Sequence, residues 1–154
     1  MAYEIERKFL VDISKIDTLD EGYIIKQGYI ETTNKTTVRV RIRDQNAFLT
    51  IKGENNGIKR LEFEYEIPLD DANVMLEKLC LKSVIDKTRY ELKVGNHVWE
   101  IDIFHGINKG LIVAEIELND ENETFDIPDW VTKEVTSERK YHNSNLILNP
   151  YSQW

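Results

Sequence analysis

Glu4-Ile5-Glu6-Arg7-Lys8, inside the run Tyr3–Val11, is the stretch whose reading decides the fold. In an extended strand alternate side chains share a face. Glu4, Glu6 and Lys8 then stand on one side, and Ile5, Phe9 and Val11 on the other. Two acids and a base in a row make a poor hydrophobic surface. They make a good beginning for a site that holds a metal ion and an anion together.

The same alternation returns along the chain. Arg39, Arg41 and Arg43 alternate with Val38, Val40 and Ile42, and Glu62, Glu64 and Glu66 with Leu61, Phe63, Tyr65 and Ile67. Lys87, Arg89 and Glu91 alternate with Thr88, Tyr90 and Leu92. Glu100 and Asp102 alternate with Trp99, Ile101 and Ile103, and Glu115 and Glu117 with Ala114, Ile116 and Leu118. Lys52 closes the run Phe48-Leu49-Thr50-Ile51. Period-two alternation over such lengths predicts half-buried β-strands. One charged strand face is ordinarily a solvated face. Here the signs come in blocks, which argues that the charged faces converge on one site.

The spacing predicts strands at 2–11, 23–33, 36–44, 46–53, 59–67, 86–94, 97–104 and 111–118. Asp44-Gln45 and Gly95-Asn96 read as tight hairpin turns. A short helix is predicted within Asp12–Glu21. A second follows Pro68, with Asp70 and Asp71 at its start and Val74, Met75, Leu76, Leu79 and Cys80 as an apolar stripe. A final helix is predicted from Thr136-Ser137 through Ile147, ended by Pro150. About eight antiparallel strands with short connections predict a closed barrel, mostly β, within one domain spanning 1–154. Periodicity leaves its orientation open, because charged-in and charged-out both obey period two.

Composition narrows the functional class. A hydrophobic share of 41% with 31% charged residues suits a globular protein with a real core. The formal net charge of -8 argues against nucleic acid or an anionic membrane as the partner. It does not forbid a local basic pocket. The single cysteine, Cys80, excludes an intrachain disulfide and fits a reducing cytoplasm. The N-terminus shows no signal-peptide pattern, and no run reaches membrane-spanning length.

With these elements in order, the chain resembles the CYTH family, the triphosphate tunnel metalloenzymes. The resemblance rests on Glu4–Val11, Gln27-Gly28-Tyr29, Arg39-Val40-Arg41, Thr50-Ile51-Lys52, Glu62-Phe63-Glu64 and Lys87-Thr88-Arg89-Tyr90. It continues through Glu100-Ile101-Asp102-Ile103-Phe104, Glu115-Ile116-Glu117, Glu134-Val135-Thr136 and Lys140-Tyr141 with Asn143. It implies an eight-stranded antiparallel barrel with the charges inside, flanked by a few helices, the C-terminal one plugging one end. It implies a tunnel for a triphosphate and a divalent metal. Short chains of this size look most like inorganic tripolyphosphatases; class IV adenylate cyclases and a non-catalytic triphosphate-binding module are the alternatives.

A triphosphate carries several adjacent negative charges and needs cations arranged along a line. Lys8, Arg39, Arg41, Lys52, Lys87 and Arg89 supply them. Arginine offers a planar fork that matches phosphate oxygens, and lysine a compact point charge. Arg43 extends the ladder toward the tunnel mouth. The resemblance brings Glu4, Glu6, Glu115 and Glu117 together as a metal cradle, and carboxylates suit hard ions such as Mg²⁺ or Mn²⁺. Asp102 either ligates metal or orients Arg39 or Arg41. Zinc is disfavoured: there is no cysteine cluster, and His97, His105 and His142 lack ligand spacing and read as surface or turn residues. Glu62, Glu64 or a metal-ligating acid would accept the proton of an attacking water. The family pattern suggests that Tyr29 hydrogen-bonds Lys8, and that Lys140 adds a basic side chain from the plug. The expected partner is a small triphosphate such as tripolyphosphate or ATP. An apolar outer barrel face would suit a homodimer.

Overall fold

The computed structural model describes residues 2–154. Nine strands run β1 (Tyr3–Val11), β2 (Tyr23–Ile30), β3 (Thr37–Arg43), β4 (Asn46–Lys52), β5 (Lys59–Ile67), β6 (Ile85–Val94), β7 (His97–Phe104), β8 (Ile112–Glu117) and β9 (Val131–Glu134). Two α-helices accompany them, α1 (Leu69–Lys78) and α2 (Asn143–Leu148). Every pairing is antiparallel, in the order β5-β4-β3-β2-β6-β7-β8-β1, and β1 closes the ring by pairing with β5. Tyr3–Ile5 pair with Leu61–Lys59, whereas Glu6–Leu10 pair with Glu117–Val113 on the other edge. The predicted eight-stranded barrel is therefore the fold, and its predicted hairpins stand: Asp44 has φ 53° and Gly95 φ 62°, as two-residue turns require.

The charged faces point inward. Lys8, Arg39, Lys52, Lys87, Arg89, Asp102 and Glu115 are all buried, and the strand partners that alternate with them face outward. An apolar exterior has to be covered, and two pieces of chain cover much of it, while a third stops the lumen. Helix α1 lies over β2, β3 and β4, where Ala72 packs on Val40 and Ala47. It packs closely over Gly28, where an added Cβ would sit 2.9 Å from Leu76 Cδ2 and 3.1 Å from Cys80 Cβ, so these side chains would have to give. Asp70 and Asp71 occupy the helix's first turn, where negative charge suits the macrodipole. Beside β1, β7 and β8 the segments carrying Ile16, Leu19, Phe125 and Trp130 close over Ile5, Phe9, Trp99, Ile101 and Ile116. The third piece enters the barrel: Val135, Tyr141, Leu146 and Ile147 pack on Tyr29, Ile85, Phe104 and Val113 and stop one end of the lumen.

Three details differ from the sequence expectation. The predicted helix within Asp12–Glu21 is a single 3-10 turn, Ile13–Lys15, capped by Asp12 through Ser14. Strand β9 was not anticipated; it pairs with Phe9, Leu10 and Val11 of β1. The final helix is broken. A 3-10 turn at Arg139–Tyr141 is followed by extended backbone at His142, and only Asn143–Leu148 is α-helical. Ile24, Ile51, Phe63 and Tyr65 stay exposed on the outer sheet.

Candidate active site

β3 and β8 are four strands apart around the eight-stranded ring, so they face each other across the lumen. The arginine ladder of β3 therefore looks at the glutamate ladder of β8. Between them lies a cavity of about 300 Å³. Glu4, Glu6, Lys8, Tyr29, Arg39, Arg41, Lys52, Glu62, Glu64, Arg89, Glu115 and Glu117 line it, twelve of the fifteen residues singled out from sequence.

Most of its charges are paired. Lys52 Nζ lies 2.7 Å from Glu4 Oε2 and 3.1 Å from Glu62 Oε2. Lys8 Nζ lies 3.4 Å from Glu115 Oε1 and donates to the Tyr141 carbonyl at 3.1 Å. Arg39 Nη2 donates to Thr50 Oγ1 and Glu64 Oε2. Arg89 donates through Nη1 to Glu100 at 3.0 Å. The basic wall nevertheless keeps unspent capacity. Arg39 Nε is buried without a partner. Among the described residues Arg41 pairs with no carboxylate; its Nε donates to Gln27 Oε1 at 2.8 Å. Burial, with Arg39 and Arg89 close by, pushes the Arg41 guanidinium down to about 10. A half-buried cation short of counter-charge and a buried donor short of an acceptor are what an absent anion would satisfy.

The acid wall has the opposite surplus. Glu6 faces Glu117 in the β1–β8 register and shares a hydrogen bond with Glu115. Burial, then Glu115 and Glu4, push its carboxyl well above the usual range. Burial would raise Glu115 too, but Lys8, Arg89 and Lys87 hold it well below. Burial and then Glu4 raise Glu117. This wall thus crowds acids together where a hard divalent cation would serve several carboxylates at once. Among the described residues no three acid, histidine or cysteine side chains already converge in ligating geometry, because Lys52 and Lys8 hold Glu4 and Glu115. The donor set is all carboxylate oxygen and fits Mg²⁺ or Mn²⁺ in kind.

Three singled-out residues lie elsewhere. Asp102 is fully buried behind the wall and does not face the cavity. Its oxygens take Arg89 Nε at 2.7 Å, Arg89 Nη2 at 2.9 Å and Lys87 Nζ at 2.7 Å. It orients Arg89 and Lys87, not Arg39 or Arg41 as expected, and both its oxygens are engaged by these cations. Lys87 is equally buried; burial pushes it down to about 7 despite the pull of Asp102. Lys140 is exposed, with its ammonium 4.5 Å from the Trp154 ring centroid. The expected Tyr29–Lys8 hydrogen bond is also replaced: the Tyr29 hydroxyl accepts from Gln27 Nε2 at 2.8 Å.

Other lining residues were not singled out. Arg60 shares the parity of Glu62 and Glu64, and Glu100 that of Asp102, so strand alternation held the signal for both. Thr136, His142, Asn143 and Ser144 come from the plug. His142, expected at the surface, is half-buried on the cavity wall, where burial and then Lys8 push its imidazole down. No strand period points to it. Arg43 lines the exposed end, its guanidinium between the Tyr23 and Phe48 rings, as its place at the mouth suggested.

A closed antiparallel barrel with an arginine wall facing a glutamate wall defines a class of protein built to hold a polyanion and a cation in one lumen. The CYTH domain matches residues 2–147, and the chain belongs to the CYTH family. It is 48% identical over 154 residues to the inorganic triphosphatase of Acetivibrio thermocellus, covering 100% of this chain and 99% of that one. It is 34% identical to the inorganic triphosphatase of Nitrosomonas europaea, covering 95% and 97%. The crystal structure of an inorganic triphosphatase superposes with a TM-score of 0.67 at 31% identity, covering 96% of each chain.

Proposed function

We propose that this chain hydrolyses inorganic tripolyphosphate to pyrophosphate and phosphate, with Mg²⁺ or Mn²⁺ as cofactor. The observation that carries the reading is Arg41 beside the orphaned Arg39 Nε: a buried basic wall with unspent donors, facing an acid wall across one cavity. Two relatives named inorganic triphosphatase, matched over nearly their whole length, support the same substrate class.

In this reading Lys8, Arg39, Arg41, Lys52 and Arg89 bind the phosphoryl oxygens and neutralise charge as the bond to the leaving pyrophosphate breaks. Glu4, Glu6, Glu115 and Glu117 would hold the cation, which would supply charge neutralisation and a more acidic water there. Glu62 and Glu64, on the cavity side of β5, take up the proton of the attacking water. Asp102 and Lys87 act from behind, by fixing Arg89. Thr50 fixes Glu64 by donating to it at 2.9 Å.

Phosphate release from tripolyphosphate and ATP, each with Mg²⁺, Mn²⁺ or EDTA, tests the proposal. Metal-dependent release strongest on tripolyphosphate is the expected result. Cyclic AMP from ATP, or tight tripolyphosphate binding without release, would overturn it.

A further inference from the structure

Behind the basic wall runs a short hydrogen-bonded relay that the reaction above does not use. Gln27, in the middle of β2, is completely buried with its side chain toward the lumen. Its Oε1 accepts from Arg41 Nε at 2.8 Å, and its Nε2 donates to the Tyr29 hydroxyl at 2.8 Å. A buried amide costs stability unless both ends are matched, and here both are. Chemistry fixes its orientation, since the reversed amide would press its NH₂ against the Arg41 N–H.

The relay has two consequences for the cavity. Arg41 is tethered by Nε alone, so its other nitrogens remain available to an anion, and no carboxylate among the described residues competes for them. Tyr29 has an oxygen lone pair occupied by Gln27, which leaves its own proton free for donation into the lumen it lines. Both cavity groups are thus aimed by one amide.

We propose that Gln27 is a positioning residue for triphosphate turnover, setting the Arg41 guanidinium and the Tyr29 hydroxyl on the same substrate. The proposal rests on the triphosphatase reading. Its test is steady-state kinetics of Gln27→Met on tripolyphosphate with Mg²⁺, alone and combined with Arg41→Gln. We expect the single variant to raise KM about tenfold, the scale of one hydrogen bond to a charged group. In the Arg41→Gln background the same change should raise KM by clearly less, because only the Tyr29 hydroxyl remains to be aimed. Equal losses in both backgrounds, or no change in KM from the single variant, would overturn the proposal. Should Gln27→Met not fold, Gln27→Glu preserves shape and the Arg41 contact. Its carboxylate neutralises Arg41 and cannot donate to Tyr29, so KM rises and the rise shrinks as pH is lowered. A KM that matches wild type at every pH also overturns it. Wild-type protein that neither binds nor hydrolyses tripolyphosphate is a distinct outcome, and it removes the triphosphatase reading itself.

Discussion

Asp102 grips Arg89 by two nitrogens at once, Nε at 2.7 Å and Nη2 at 2.9 Å, while showing no surface to solvent. The fork locks the guanidinium plane and leaves Nη1 to reach Glu100 at the cavity. Breaking a buried pair by neutralising one partner leaves an uncompensated charge. Asp102→Asn should therefore cost about 3–5 kcal/mol of folding free energy by urea denaturation. It should also lower turnover of tripolyphosphate, since Arg89 loses its plane. A stability within about 1 kcal/mol of wild type would mean that Glu115, 3.8 Å from Arg89 Nη2, supplies the lost counter-charge.

Lys87 gives that cluster a pH signature. Its folded value is about 7, against an ordinary 10.5. Between those values the unfolded chain binds a proton that the folded chain lacks, so stability rises with pH through that window and is flat below it. The difference in unfolding free energy between wild type and Lys87→Met should therefore change with pH from about 7 to about 10, moving in favour of wild type. A difference independent of pH would mean that Lys87 stays charged in the fold.

Glu6 couples stability and function with opposite signs. Its raised carboxyl means that ionised Glu6 destabilises the cation-free fold, and this penalty grows as pH rises from the ordinary carboxylate range through the folded value. Glu6→Gln mimics the protonated form. In EDTA at neutral pH its Tm should equal or exceed that of wild type, while the Mg²⁺ concentration for half-maximal turnover rises at least about tenfold. A lowered Tm in EDTA would place the strain elsewhere on the acid wall.

Much of this barrel is legible because the period-two ladders survive folding unchanged: Arg39, Arg41, Glu115 and Glu117 face the lumen as their parity demands. Which way the ladders face is not in the period at all, and only the resemblance supplied it. Asp102 shares parity with Glu100, yet one residue pair along β7 separates a cavity acid from one fully consumed by Arg89 and Lys87. That distinction is made by burial depth, which alternation does not carry. Strand β9 is four residues long and mostly exposed, so it carries little hydrophobic signal; it exists because β1 has an edge left over beyond β5. Gln27 entered the resemblance without a role of its own, because a neutral amide leaves no mark on a charge ladder.

The plug residues misled for a related reason. A continuous helix from Thr136 would have carried Lys140 on a regular face, but the chain makes one 3-10 turn and then straightens at His142. That geometry sends Lys140 outward over Trp154 and turns His142, Asn143 and Ser144 to the cavity. Asn143 also accepts from Lys87 Nζ at 3.4 Å. Lys140→Ala should therefore leave KM and kcat for tripolyphosphate within about twofold, since an exposed cation–π contact contributes only about 0.5–1 kcal/mol, and to stability. Asn143→Leu, placing an apolar side chain on the polar wall and leaving Lys87 with Asp102 alone, should lower kcat/KM by about tenfold or more. Parallel steady-state kinetics of the two variants decide the matter. A large loss in Lys140→Ala with no loss in Asn143→Leu would mean that the plug turns as a helix when substrate binds.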